Sequence, residues 1–164
     1  MNHFITILAA LFFCVFSQTA MADSQTVSAE MQMLSTATSW VNQSGSVASI
    51  SFAAAPTQPA TYIVSGHYVN NAAGYQCQGT AYPLNGIYYT NTQTISFSVA
   101  WSNSTENCQS VTGWTGYIDL STSPLKMITK WNLAYLNSGS QQIFPGSDTF
   151  TMQSVVTSEK LISE

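Results

Sequence analysis

From Thr38 to Gln153 the chain repeats one pattern: short runs of alternating apolar residues broken by clusters of Gly, Asn, Ser or Pro, with no stretch of sustained helical period. The runs fall near Ser39–Asn42, Ser46–Phe52, Thr61–Asn70, Tyr82–Tyr89, Thr94–Trp101, Gly113–Leu120, Lys126–Tyr135 and Ser147–Gln153. Eight short strands at this spacing predict an all-β fold, an eight-stranded antiparallel up-and-down β-barrel of the size that holds one small ligand. A two-sheet sandwich is the competing architecture. Closure favours the barrel because only 6% of residues are charged, which leaves few gatekeepers to protect open sheet edges.

That low charge also excludes function classes. Three Lys, no Arg and seven acidic residues give no basic footprint for nucleic acid. Ser, Thr, Asn and Gln carry the polar faces instead, as in many secreted β-proteins. At 164 residues the chain suits one domain with a proper core.

The first segment reads as an export signal rather than part of the fold. Phe4–Phe16 is an apolar run too short to span a bilayer, and Ala20-Met21-Ala22 supplies the small-x-small pattern of a cleavage site. Residues 1–22 are therefore expected to be removed, placing the mature chain outside the cytoplasm, secreted or periplasmic. Residues 23–37 read as a polar, loosely held lead-in, residues 38–153 as the barrel, and residues 154–164 as a tail. After cleavage three Cys become two, Cys77 and Cys108, which an oxidising compartment is expected to pair; a metal pair would lack further ligands nearby.

The densest chemistry lies in Trp101–Gly116, WSNSTENCQSVTGWTG, where two Trp sit among eight Ser, Thr or Asn. Indoles beside hydroxyls and amides suit an apolar pocket with a few placed polar groups, although a hairpin with two core Trp would look the same. Catalysis is not expected: no base is placed beside a nucleophile, there is no nucleophile elbow, and metal-ligand spacing is absent. His67 alternates with Tyr68 and is read as exterior. A lipocalin-like carrier of another small hydrophobic ligand is the alternative, since Thr38-Ser39-Trp40 loosely echoes that family's strand entry.

Six segments, in order, then carry a resemblance: SWVNQSGS (Ser39–Ser46), VSGHYVN (Val64–Asn70), FSVAWSNSTENC (Phe97–Cys108), SVTGWTG (Ser110–Gly116), TKWNLAY (Thr129–Tyr135) and SDTF (Ser147–Phe150). Together they resemble the avidin and streptavidin family of biotin-binding proteins. YPLNG (Tyr82–Gly86) and the two cysteines are most similar to its dimeric, rhizavidin-like bacterial branch.

The resemblance implies non-covalent biotin binding, with no cofactor, and a set of roles. Asn42, Ser46 and Tyr68 match donors to the ureido carbonyl oxygen, and Asp148 matches the acceptor for one ureido N–H. Asn70 stands where many members place Ser or Thr to accept the other. Thr112 matches the hydroxyl that meets the thioether sulfur and Ser110 one facing the carboxylate, with the turn Asn71–Gly74, including Ala73 and Gly74, supplying the remaining carboxylate contacts through backbone N–H groups. Trp101, Trp114 and Trp131 match pocket walls, while Trp40 is expected to pack the barrel floor. Each ureido group left unpaired would cost ~1–3 kcal/mol, which is why the full set matters. Ser138–Phe144 contains no Trp to lend across an interface, so a homodimer without a borrowed lid is expected. A Cys77–Cys108 tie would pre-organise the carboxylate loop.

Overall fold

The computed structural model of the chain describes residue 27 and residues 29–153. The expected export signal with its cleavage site, and the expected C-terminal tail, lie outside the described residues.

Eight antiparallel strands close on themselves in sequence order: β1 (Thr38–Val41), β2 (Val47–Ala54), β3 (Thr61–Val69), β4 (Ala81–Tyr89), β5 (Thr94–Ser102), β6 (Asn107–Asp119), β7 (Lys126–Asn137) and β8 (Ser140–Gln153). β1 completes the ring by pairing Ser39–Val41 with Thr151–Gln153 of β8. The barrel, not the sandwich, is the architecture. Alternation puts the apolar half of each strand inside, most clearly in β5, where Ile95, Phe97, Val99 and Trp101 are buried and the residues between them exposed.

Two inward glycines let neighbouring strands bend tightly. A Cβ on Gly86 would sit 2.0 Å from the Ser96 carbonyl oxygen, and one on Gly116 would sit 1.9 Å from that of Ile128. No other residue fits such an approach.

The lead-in differs from its expectation as a loose segment. Residues 29–35 are helical, Met33 is fully buried, and Ala29 and Leu34 pack on the core. The Tyr88 hydroxyl donates to Glu30 Oε1 at 2.6 Å. The apolar spacing Ala29, Met33, Leu34 fits one helical face, which a polar reading of the segment overlooks. This turn docks near the end of β4, at the end of the barrel where β4 turns into β5.

Three strands, β6, β7 and β8, run further than expected. β6 begins at Asn107, and β7 and β8 form one long hairpin that pairs through to Asn137 opposite Ser140. Its turn uses Ser138 (φ 50°) and Gly139 (φ 83°), two successive left-handed residues whose twist suits a tight hairpin. Polar residues and Pro145 hide these strands from an alternation test. Pro145 fits because β8 bonds to β7 on one side and meets β1 only from Thr151 onward.

Candidate ligand-binding site

A cavity of about 590 Å³ occupies the other end of the barrel, reached by the 42–46 turn, the 70–80 loop and the β7–β8 hairpin. Its volume falls in the range of small-molecule sites.

The 42–46 turn is built around the Asn42 side chain. Asn42 Oδ1 accepts from the backbone N–H groups of Ser44 (3.0 Å) and Ser46 (2.9 Å), an arrangement that Asx side chains favour. This fixes the amide so that Nδ2 points inward, donating to Asp148 Oδ1 at 3.1 Å and lying 3.4 Å from the Tyr68 hydroxyl. Ser46, 1% exposed, accepts from Asn71 N–H at 2.9 Å. Asn42, Ser46 and Tyr68 thus meet in one buried corner. Burial first, and the Asp148 charge second, push the Tyr68 phenol well above its ordinary pKa, so it stays a protonated donor.

Asp148 faces that corner from β8. Its Oδ2 accepts the Trp114 indole N–H at 2.8 Å, and its Oδ1 accepts from Asn42 and from Gln43 Nε2 at 2.8 Å. Three donors aimed at one buried carboxylate hold it in place and compensate its desolvation. Gln43 does more. It also donates to the Ser147 carbonyl at 3.1 Å and accepts from Thr149 N–H at 3.0 Å, so one amide continues the β1–β8 pairing where the strands have parted. Sequence reasoning passed over Gln43, although its place between Asn42 and Ser46 was a signal.

Asn70 is placed in the cavity wall, but its amide is already engaged. Oδ1 accepts from Ala72 N–H at 3.0 Å and lies 3.4 Å from Ser46 Oγ, while Nδ2 donates to the Gln76 carbonyl at 3.2 Å. It braces the 70–80 loop. The disulfide Cys77–Cys108, with Cα atoms 6.3 Å apart, ties that loop to the start of β6. Gly74 lines the cavity together with Ala72, Tyr75 and Gln76, whereas Ala73 lies outside the lining. The turn at Gly74 (φ 87°) brings the residues on either side of Ala73 to the cavity instead.

The aromatic walls divide into tethered and free. Trp101 donates to Thr112 Oγ1 at 2.8 Å, leaving the Thr112 hydroxyl proton for another acceptor. Trp114 stacks between Phe97 and Tyr68, with centroids 5.0 Å from each. Trp131 also lines the cavity, yet its Nε1 is buried with no hydrogen-bond partner among the described residues. Ser110 lines the cavity nearer β6's start. Trp40 is fully buried, bonds to Thr38 Oγ1 at 2.8 Å and takes no part in the cavity. His67 is on the outer face. Leu133 and Phe144, not expected from sequence, line the mouth; counting back by twos from Asp148 would have placed Phe144 on the same face.

An antiparallel barrel closed at one end, with converging donors, a fixed carboxylate and indole walls at the other, defines a small-ligand-binding protein. The chain belongs to the avidin family: the model of that family matches residues 30–153. It is 52% identical to hoefavidin of Hoeflea phototrophica over 165 residues, covering 100% of both chains. Among solved structures, it is similar to the complex of short afifavidin with biotin (46% identity, 79% of this chain and 98% of that one, TM-score 0.65). It is also similar to rhizavidin (41% identity, 80% and 92%, TM-score 0.67).

Proposed function

We propose that this protein binds biotin without covalent chemistry, with the cyclic urea head in the Asn42–Ser46–Tyr68–Asp148 corner. The observation that carries this is the matching of hydrogen-bonding polarity. Three donors meet where a urea carbonyl oxygen would sit, beside a buried carboxylate that can take a ring N–H. Ser46 turning its O–H onto the carbonyl frees a lone pair of Asn70 Oδ1, 3.4 Å away, for the second ring N–H. Thr112 then faces the thioether, and Trp101, Trp114 and Trp131 supply the walls. Ser110 and the backbone of the 72–74 segment face the carboxylate.

The reading is binding rather than turnover. Converging donors polarise a carbonyl, but the one histidine among the described residues, His67, lies on the outside of the barrel. A polar, convergent lining also fits a urea better than the fatty ligand of a lipocalin-like carrier. Titration of the mature protein with biotin, followed by tryptophan fluorescence, tests the reading. Saturable quenching that fatty acids do not compete for is expected; no response to biotin, or displacement by fatty acids, would overturn it.

Assembly as a homodimer is part of the same proposal. Across three strands, Val111, Ala134 and Ile143 lie side by side on the outer face, with Val111 47% and Ile143 72% exposed. A flat apolar row of this kind favours a second copy. Export to an oxidising compartment fits the disulfide and the leader-like first residues. Sequestration of biotin is the proposed purpose, with scavenging the rival; growth inhibition of biotin-requiring bacteria, relieved by excess biotin, is the expected result.

A further inference from the structure

An asparagine followed by a small residue can lose its amide without an enzyme: the next backbone nitrogen closes on the side-chain carbonyl carbon and expels ammonia. By sequence alone the first place to look is Asn85, which precedes Gly86; the fold points instead to Asn137, which precedes Ser138 and Gly139. β4 is paired on both sides here, Gly86 lying opposite Val64 of β3 and Phe97 of β5. The Gly86 N–H is therefore committed to the sheet, and the backbone cannot rotate to bring it onto the Asn85 side chain. Asn42, Asn70, Asn71, Asn103 and Asn107 have their amides tied to backbone groups. Asn91 precedes the branched Thr92, and Asn132 precedes Leu133 within a strand paired on both sides, so crowding or pairing hinders both.

Asn137 has none of these restraints. It ends β7 and pairs with Ser140, leaving Ser138 and Gly139 outside the ladder at φ 50° and 83°. The Ser138 N–H thus has no strand opposite it. The Ser138 hydroxyl donates to Asn137 Oδ1 at 3.3 Å, which stabilises the charge that develops on that oxygen when the carbonyl carbon is attacked. Asn137 is open to water, yet it lines the ligand cavity.

We propose that Asn137 is a self-modification site: in the folded protein it loses its amide ahead of every other described asparagine, and the carboxylate that replaces it slows capture of an anionic ligand. Hydroxide takes the Ser138 N–H proton, and the nitrogen forms a bond to Asn137 Cγ. The Cγ–Nδ2 bond breaks, and Nδ2 takes a proton from water and leaves as ammonia, which restores the hydroxide. A second water opens the five-membered imide to aspartate or isoaspartate. Either product places a negative charge on the cavity lining, where an arm that ends in a carboxylate meets like charge on entry. The effect on capture rests on the biotin reading of the site; the modification itself does not.

The test follows protein aged at mildly alkaline pH, folded or unfolded, by tandem mass spectrometry of its peptides. In folded protein the amide-to-acid mass change is expected first at Asn137. In reduced, denatured protein the order is expected to reverse, with Asn85 ahead. Asn85 leading in both states, or Asn137 staying intact in aged folded protein, would overturn the assignment. Asn137→Gln, which keeps an amide but has to close a larger ring, is expected to show no change at that position over the same time. For capture, stopped-flow mixing compares wild type with Asn137→Asp, using biotin and its neutral carboxamide. The variant is expected to take up biotin about twofold more slowly or worse at low salt, to lose that difference at high salt, and to take up the carboxamide at the wild-type rate. Unchanged biotin capture, or equal slowing of both ligands, would overturn the charge effect. Wild type that captures neither ligand would overturn the biotin reading and the charge effect with it, while the mass map would still decide the modification.

Discussion

The two compartments of the cavity hold their side chains by different means. In the deep corner three side chains are fixed before any ligand arrives, Asn42 by its own turn, Asp148 by three donors and Tyr68 by stacking on Trp114, and only the Ser46 hydroxyl has to turn. At the mouth, Trp131 and Phe144 keep their places through packing only, and Phe144 stays half in water. Pre-organised polar groups set which head group is accepted, since they need not reorder on binding. Exposed apolar groups wait for ligand surface and add affinity without demanding a particular geometry.

The sharpest way to break this contrast is at the fixed end. Asp148→Ala removes the acceptor and strands the Trp114 N–H; biotin binding is expected to weaken by about 2–5 kcal/mol, tens- to thousands-fold, by isothermal titration. Next in size, Cys77→Ser with Cys108→Ser releases the 70–80 loop. A loss of about 2–4 kcal/mol in folding stability is expected from denaturant unfolding, together with a slower association rate.

A smaller change sharpens the contrast. Gln43→Ala leaves Asn42, Trp114 and Asp148 in place but removes the amide that joins them to Ser147 and Thr149. A loss of about 1–2 kcal/mol in biotin affinity is expected, with head-only ligands affected as strongly as biotin. Phe144→Ala should affect them differently, and the pair separates the two compartments.

The smallest effect is on pH. Burial and neighbouring acidic groups raise the phenols of Tyr68 and Tyr88 above their ordinary 10.0, so the folded chain favours their neutral forms. Their contribution is fully present below pH 10 and declines as pH rises beyond it, because the unfolded chain ionises first. Tyr88→Phe, which also cuts the bond to Glu30, is expected to flatten that alkaline decline in a melting series.

Much of the barrel was legible because its signal is local. Alternation in Thr94–Trp101 needs only neighbouring residues to be read, and the order of the six matching segments carried the corner residues with it. What stayed hidden depends on distant partners. Met33 reads as a stray apolar residue until the barrel end supplies its socket. Gln142 to Gly146 read as a loop because Pro145 and mixed polarity mask a strand whose pairing is satisfied by β7 alone. Asn70 looked like a wholly free acceptor, and only the folded 70–80 loop shows one lone pair of its oxygen taken by Ala72 and its N–H by Gln76, which leaves the second lone pair shared with Ser46. Gln43 acquires its place only when β8 arrives 105 residues later.

The central claim, that the fixed polar corner is a biotin site, is tested most directly by thermal unfolding of the oxidised mature protein with and without biotin. A ligand that binds only the folded state adds about 4 kcal/mol at a thousandfold excess over its dissociation constant, ~10 °C or more for a domain of this size. The account predicts such a rise in wild type and its collapse in Asp148→Ala. An unchanged melting temperature at millimolar biotin, in protein shown to be folded, would contradict it.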